Sequence, residues 1–214
     1  MSKHTFKISL LGDKNVGKTS IVTAYTKDEF NFETLATIGI DTSIKKKTFD
    51  NVEYTFKIFD TVGQEKFNSI STTTIQMAVG FFMVFAINHR KSYERIVHWI
   101  SYIEEYVNLK EKVIFIIGNK SDVKPEEREV TKEEAEVFAK SKNAKYFENS
   151  ALNRNGINES FEEMFKDVYE MSKKNNNWNS NIILDKTNKK KKNVFVFKIV
   201  KYILFTFNFQ FILL

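Results

Sequence analysis

The sequence predicts a doubly wound, mostly parallel α/β sheet, and three observations carry that prediction. Gly80–Ile87 and Val113–Ile117 are continuous apolar runs, which suit central strands covered on both faces. Strand-like runs alternate with segments of helical period as far as about residue 172, the pattern of βαβ units. A glycine-rich loop follows the first apolar run, at the carboxyl end of a strand, where such sheets take their ligands.

In chain order, Phe6–Leu11 reads as a buried strand leading into that loop, and a helix begins near Lys18. Ile38–Phe49 and Val52–Asp60 are two strands joined by a turn at Asp50-Asn51. After the strand at Gly80, Tyr93, Ile96, Val97, Ile100 and Ile103 recur at helix spacing. Beyond the strand at Val113, helices are expected at Thr131–Ser141, with Thr131 and Glu134 as a capping box, and at Ile157–Lys173.

The 214 residues, 42% of them hydrophobic, suffice for one substantial core plus an appendage. There is no cysteine, which excludes disulfides and Cys-based metal sites, and the polar N-terminus points to the cytoplasm. The net charge of +6 is unevenly spread: residues 173–214 carry nine Lys against Asp185 alone, so the remainder is slightly acidic. A nucleic-acid partner is therefore not expected, because the basic footprint lies in a tail and not on a folded face.

Five segments supply the chemistry. Gly12-Asp13-Lys14-Asn15-Val16-Gly17-Lys18-Thr19 is a complete G-x-x-x-x-G-K-T: the glycines let backbone donors wrap a polyphosphate, Lys18 reaches its terminal phosphates, and the Thr19 hydroxyl binds Mg²⁺. In Asp60-Thr61-Val62-Gly63-Gln64, Asp60 would hold Mg²⁺ through water, the Gly63 N–H would meet the γ-phosphate and Gln64 would orient the attacking water. Asn119-Lys120-Ser121-Asp122 follows a buried strand and places a carboxylate to accept from the N1–H and N2 amine of guanine, donors that adenine lacks. Thr37 and Ser150-Ala151 complete the set. Taken singly, several of these are ordinary turns or polar loops; their order and spacing describe a guanine nucleotide pocket.

Residues 5 to about 172 resemble a small GTPase of the Ras superfamily. They are most similar to the Rab branch, through Ile38-Gly39-Ile40-Asp41 and Lys57-Ile58-Phe59-Asp60-Thr61-Val62-Gly63-Gln64-Glu65-Lys66-Phe67. The resemblance implies a six-stranded sheet with helices on both faces and a G domain over 1–172. It also implies a switch that binds GTP or GDP with Mg²⁺, hydrolyses GTP slowly and regulates vesicle and protein transport. It places Phe30 beside the guanine, Thr37 on Mg²⁺ with Thr19 and Asp60, Lys120 along the base, and the Ala151 N–H on the guanine oxygen. Asn15, Val16, Ser20, Ser150 and Leu152 complete the nucleotide-binding set, and Gln64 and Lys18 are the catalytic residues. The implied partners are an exchange factor, an activating protein and effectors. The implied state is a monomer at the cytosolic face of endomembranes.

Departures from the family pattern qualify this. Asn15 replaces a common Gly, which its tolerance of left-handed backbone allows. Val62 stands for the usual Ala and Thr34 for an aromatic that shields the phosphates, so a nucleotide-binding module with little turnover is the alternative reading. Leu152 replaces a Lys, keeping packing and losing a charge. Of three positions where Rab partners read aromatics, Thr42, Phe59 and Thr74, only Phe59 is aromatic. His4, His89 and His98 share no ligand spacing and read as surface or boundary residues; Glu126–Glu129 reads as a solvated loop, Lys45–Lys47 as an exposed strand, and Trp99 as core or interface material.

Residues 173–193 read as a flexible Asn- and Lys-rich linker. Of the 21 residues from Val194 to Leu214, 16 are apolar, interrupted by Lys198, Lys201, Thr206, Asn208 and Gln210. Two readings stand: a membrane-associating tail, or read-through of an unspliced intron that displaces a prenylated ending.

Overall fold

The structure, a computed structural model, describes residues 4–26, 40–61 and 72–174. All belong to one unit, Met1–Asn175. Its strands are β1 (His4–Leu11), β2 (Ile40–Phe49), β3 (Val52–Thr61), β4 (Gly80–Ala86), β5 (Val113–Asn119) and β6 (Lys145–Asn149). Its helices are α1 (Lys18–Thr26), α2 (Thr72–Met77), α3 (Arg90–Glu94), α4 (Ile96–Glu104), α5 (Lys132–Ser141) and α6 (Ile157–Lys174). The sheet order is β2-β3-β1-β4-β5-β6, and every neighbouring pair is parallel except β2 with β3. The expected six-stranded, mostly parallel sheet is thus present. The strand order reverses at β1, which opens a crevice at its carboxyl end.

Every residue of β4 and β5 is buried, as their unbroken apolar runs require. Alternate residues serve opposite faces. Phe81, Met83 and Phe85 of β4 join Ile114 and Ile116 of β5 in a core with Ile96, Trp99, Ile100 and Ile103 of α4 and Ala135 and Ala139 of α5. Phe82 turns the other way, with its ring 4.8 Å from Phe161 of α6. On that face Tyr25 of α1 stacks on Phe161 at 4.0 Å, and Phe56 of β3 on Phe165 at 4.2 Å. Helix α6 buries Ile157, Phe161, Met164, Phe165, Val168 and Tyr169, a stripe at i, i+3 and i+4 spacing.

The β2–β3 turn falls where Asp50-Asn51 places it, with Phe49 paired to Val52. Both turn residues have positive φ, 46° and 61°, as a two-residue hairpin loop of the right twist requires. Helix α6 secures this turn: Tyr169 Oη and Lys173 Nζ both donate to Asp50 Oδ2, at 2.5 and 3.1 Å.

Several expectations are adjusted. The helix read through Tyr93–Ile103 divides at Arg95 into α3 and α4, and Val97 is 42% exposed, one residue off the buried stripe. Thr131 does cap α5, its Oγ1 accepting from Glu134 N at 3.2 Å, but the Glu134 carboxylate turns to Arg90, both of whose terminal nitrogens lie at 2.6 Å. The sixth strand, Lys145–Asn149, has no apolar run of its own, because an edge strand is only partly covered. His89 and His98 are exposed and Trp99 is buried, as expected. Among the described residues no helix is long and apolar enough to cross a membrane, and Val194–Leu214 lies outside them.

Candidate nucleotide site

Strand β1 delivers the chain into a loop that only certain residues can build. Gly12 has φ 148°, and a Cβ there would lie 2.1 Å from the Val84 carbonyl oxygen. Gly17 has φ 93°, and its Cβ would lie 2.3 Å from Asn119 Nδ2. Asn15 takes the left-handed conformation expected of it, at φ 63°. The loop closes around Lys18, the first residue of α1, whose Nζ donates to the carbonyls of Gly12 and Asp13 at 2.9 and 2.8 Å. Burial pushes the Lys18 ammonium down to about 8, against the upward pull of Asp60 and Asp13. A cation buried further than its neighbours compensate favours an anion.

Beside it, Thr19 Oγ1 donates to Asp60 Oδ2 at 2.6 Å, bringing the start of α1 to the end of β3. Asp60 is only 2% exposed, and its Oδ1 is buried with no hydrogen-bond partner among the described residues. Burial raises the Asp60 carboxyl, the Thr19 hydrogen bond and the Lys18 charge lower it, and Asp41, its register partner on β2, raises it further. A hydroxyl and a buried carboxylate with an unspent oxygen fit Mg²⁺, which takes hard oxygen donors and completes its shell with phosphates and water.

Asn119, at the end of β5, joins three loops. Its Nδ2 donates to the Val16 carbonyl at 2.8 Å and its Oδ1 accepts from Ala151 N at 3.3 Å. Val16 has its side chain in the core, so its part in the site is its backbone. Lys120 follows at φ 67°, and Ser121 N donates to the Asn149 carbonyl at 3.1 Å, tying this loop to β6. Ser150 Oγ donates to Asp122 Oδ1 and accepts from Asn153 N at 3.2 Å, which orients an otherwise exposed carboxylate. The carboxyl ends of β3 and β5 and the residues following β1, β5 and β6 thus converge on one end of the sheet.

Ser20 is half-buried in the first turn of α1. Leu152 lies in the turn after Ala151 and is 46% exposed. Thr74, set among the partner-facing positions, is on the buried side of α2, whereas Thr42 is exposed and Phe59 half-buried. Phe30, Thr34, Thr37, Val62, Gly63 and Gln64 lie outside the described residues. The motifs give no role to Asp13 or Arg95, and Trp99 reads as core or interface material, yet these three meet: Trp99 Nε1 donates to Asp13 Oδ1 at 3.0 Å, and Arg95 Nε lies 3.3 Å from Oδ2. The four-residue step from Arg95 to Trp99 on a helix was the one available signal.

A doubly wound sheet whose first strand ends in a lysine-centred glycine loop defines a P-loop nucleotide-binding protein of the small GTPase fold. The Ras family model matches residues 7–170. Similar proteins include Ras-related protein Rab-11C of Dictyostelium discoideum, 36% identical over 170 residues, covering 79% of this chain and 75% of that one. Ras-related protein Rab-8 of Diplobatis ommata is 35% identical over 88% of each chain, and Rab-13 of Bos taurus is 33% identical over 77% of this chain and 80% of that one. This chain belongs to the Ras family, in its Rab branch.

Proposed function

We propose that this protein is a Mg²⁺-dependent, GTP-binding switch that hydrolyses GTP to GDP slowly and regulates vesicle and protein transport at the cytosolic face of endomembranes. The observation that carries it is the convergence of Lys18, the Thr19–Asp60 pair and Asn119 at one end of the sheet. Lys18 and the loop amides would hold the phosphates, Thr19, Asp60 and Thr37 the metal, and Asn119, Lys120, Asp122, Ser150 and Ala151 the guanine, with Phe30 beside it. When bound, Mg²⁺ supplies charge neutralisation at the transferring phosphoryl group.

Gln64 would orient the attacking water and Gly63 would contact the γ-phosphate. No arginine is assigned to the transition state, so a separate activating protein is expected, with an exchange factor and effectors as further partners. The intrinsic rate expected for this class is on the order of 10⁻⁴ s⁻¹. Attachment to membrane would fall to residues 173–214.

The test is single-turnover hydrolysis of bound GTP with Mg²⁺ or EDTA, beside Gln64→Leu. Slow turnover that needs Mg²⁺ and Gln64 supports the proposal. Tight binding with no turnover would leave a nucleotide-binding module, and no binding at all would sink both.

A further inference from the structure

The phosphate loop contains a charge of the wrong sign for holding polyphosphate. Asp13 follows Gly12 directly, and its carboxylate is buried within the loop whose amides would face the phosphates. Two side chains one helical turn apart take it up. The Trp99 indole N–H donates to Oδ1 at 3.0 Å, and the Arg95 guanidinium approaches Oδ2 at 3.3 Å. Their spacing is set by the backbone, Trp99 N bonding to the Arg95 carbonyl at 3.1 Å where α3 passes into α4. The carbonyl of Asp13 accepts from Lys18 Nζ, so residue 13 is held at both main chain and side chain.

We propose that Arg95 is a positioning residue that acts through Asp13, cancelling a carboxylate charge beside the phosphate cradle and so setting the affinity for the anionic end of the nucleotide. The proposal rests on the nucleotide reading above. Trp99 satisfies one oxygen of Asp13 but carries no charge; of the two, only Arg95 neutralises it. Without Arg95, a buried carboxylate would repel incoming phosphates, because like charges interact strongly where water is scarce. The penalty grows with phosphate charge, so a triphosphate suffers more than a diphosphate. Arg95 remains one-third exposed, so the effect is open to salt screening.

The test is displacement of fluorescent GDP from the full chain by GDP or a slowly hydrolysed GTP analogue, at low and high salt. Arg95→Leu is expected to weaken the GTP analogue on the order of tenfold, about 1.4 kcal/mol, and GDP less. High salt should shrink that loss, Asp13→Asn added to Arg95→Leu should restore affinity, and Arg95→Lys should retain most of it. Thermal unfolding of each variant checks that the fold is kept. Unchanged affinity in Arg95→Leu, a loss indifferent to salt, or no rescue by Asp13→Asn would overturn the proposal while leaving the nucleotide reading intact. Failure of the unaltered protein to bind either nucleotide would remove that reading and this proposal together.

Discussion

The side-chain amide of Asn119 donates to the main-chain carbonyl of Val16 at 2.8 Å, across 103 residues of sequence. The loop after β5 is thereby fastened to the loop after β1, and the same side chain accepts from Ala151 N on the loop after β6. Asn119→Ala strips both bonds from buried groups at once. The expected cost is about 1–3 kcal/mol for each group left unpaired. Denaturant unfolding of the nucleotide-free protein measures it; a change within experimental error would show that these loops are held by something else.

Thr19 meets Asp60 at 2.6 Å, where the metal is proposed. Thr19→Asn replaces the hydroxyl with a bulkier amide, and we expect it to weaken Mg²⁺·GTP more than GDP. Calorimetric titration with each nucleotide decides; equal losses for the two would argue against Thr19 as a metal ligand.

Asp122 is oriented by Ser150 and is exposed. If it accepts two guanine protons, Asp122→Asn should lose GTP and gain xanthosine triphosphate, whose C2 carbonyl suits an amide donor. Competition between the two nucleotides reads this out. A variant that keeps its preference for GTP would take Asp122 out of the base pocket.

The β2–β3 turn carries a pH dependence. Hydrogen bonds from Tyr169 and Lys173, with the Lys173 charge, hold the Asp50 carboxyl below its ordinary 3.8. A carboxylate lowered on folding contributes stability that is present above the unfolded value and lost as pH falls through the folded one. Asp50→Asn tolerates the positive φ of the turn and removes only the charge. Melting temperatures of the two proteins should therefore differ above about pH 4 and draw together in stronger acid. A gap that stays constant down to pH 2 would mean the charge contributes nothing.

Local pattern specifies much of this fold. The runs at Gly80 and Val113 became fully buried strands, and Asp50-Asn51 became the hairpin turn. Both follow from short-range physics: uniform burial demands uniform apolarity, and left-handed turn positions select Asp and Asn. The edge strand Lys145–Asn149 escaped, since a half-covered strand has no such run. The capping signal at Thr131 was legible, but not the diversion of Glu134 to Arg90, whose partner lies 44 residues away.

The sequence by itself determined the class of fold, the order of the segments proposed to hold phosphate, metal and base, and the family, because each is written in contiguous residues or in fixed spacing. Only the tertiary structure decided which of those residues touch. Asn119 reaching Val16 and Trp99 reaching Asp13, 86 residues apart, depend on how β1, β5 and α4 lie in the sheet and its covering layer. Such pairings leave no local periodicity, because the geometry that selects them exists only once the apolar faces have packed.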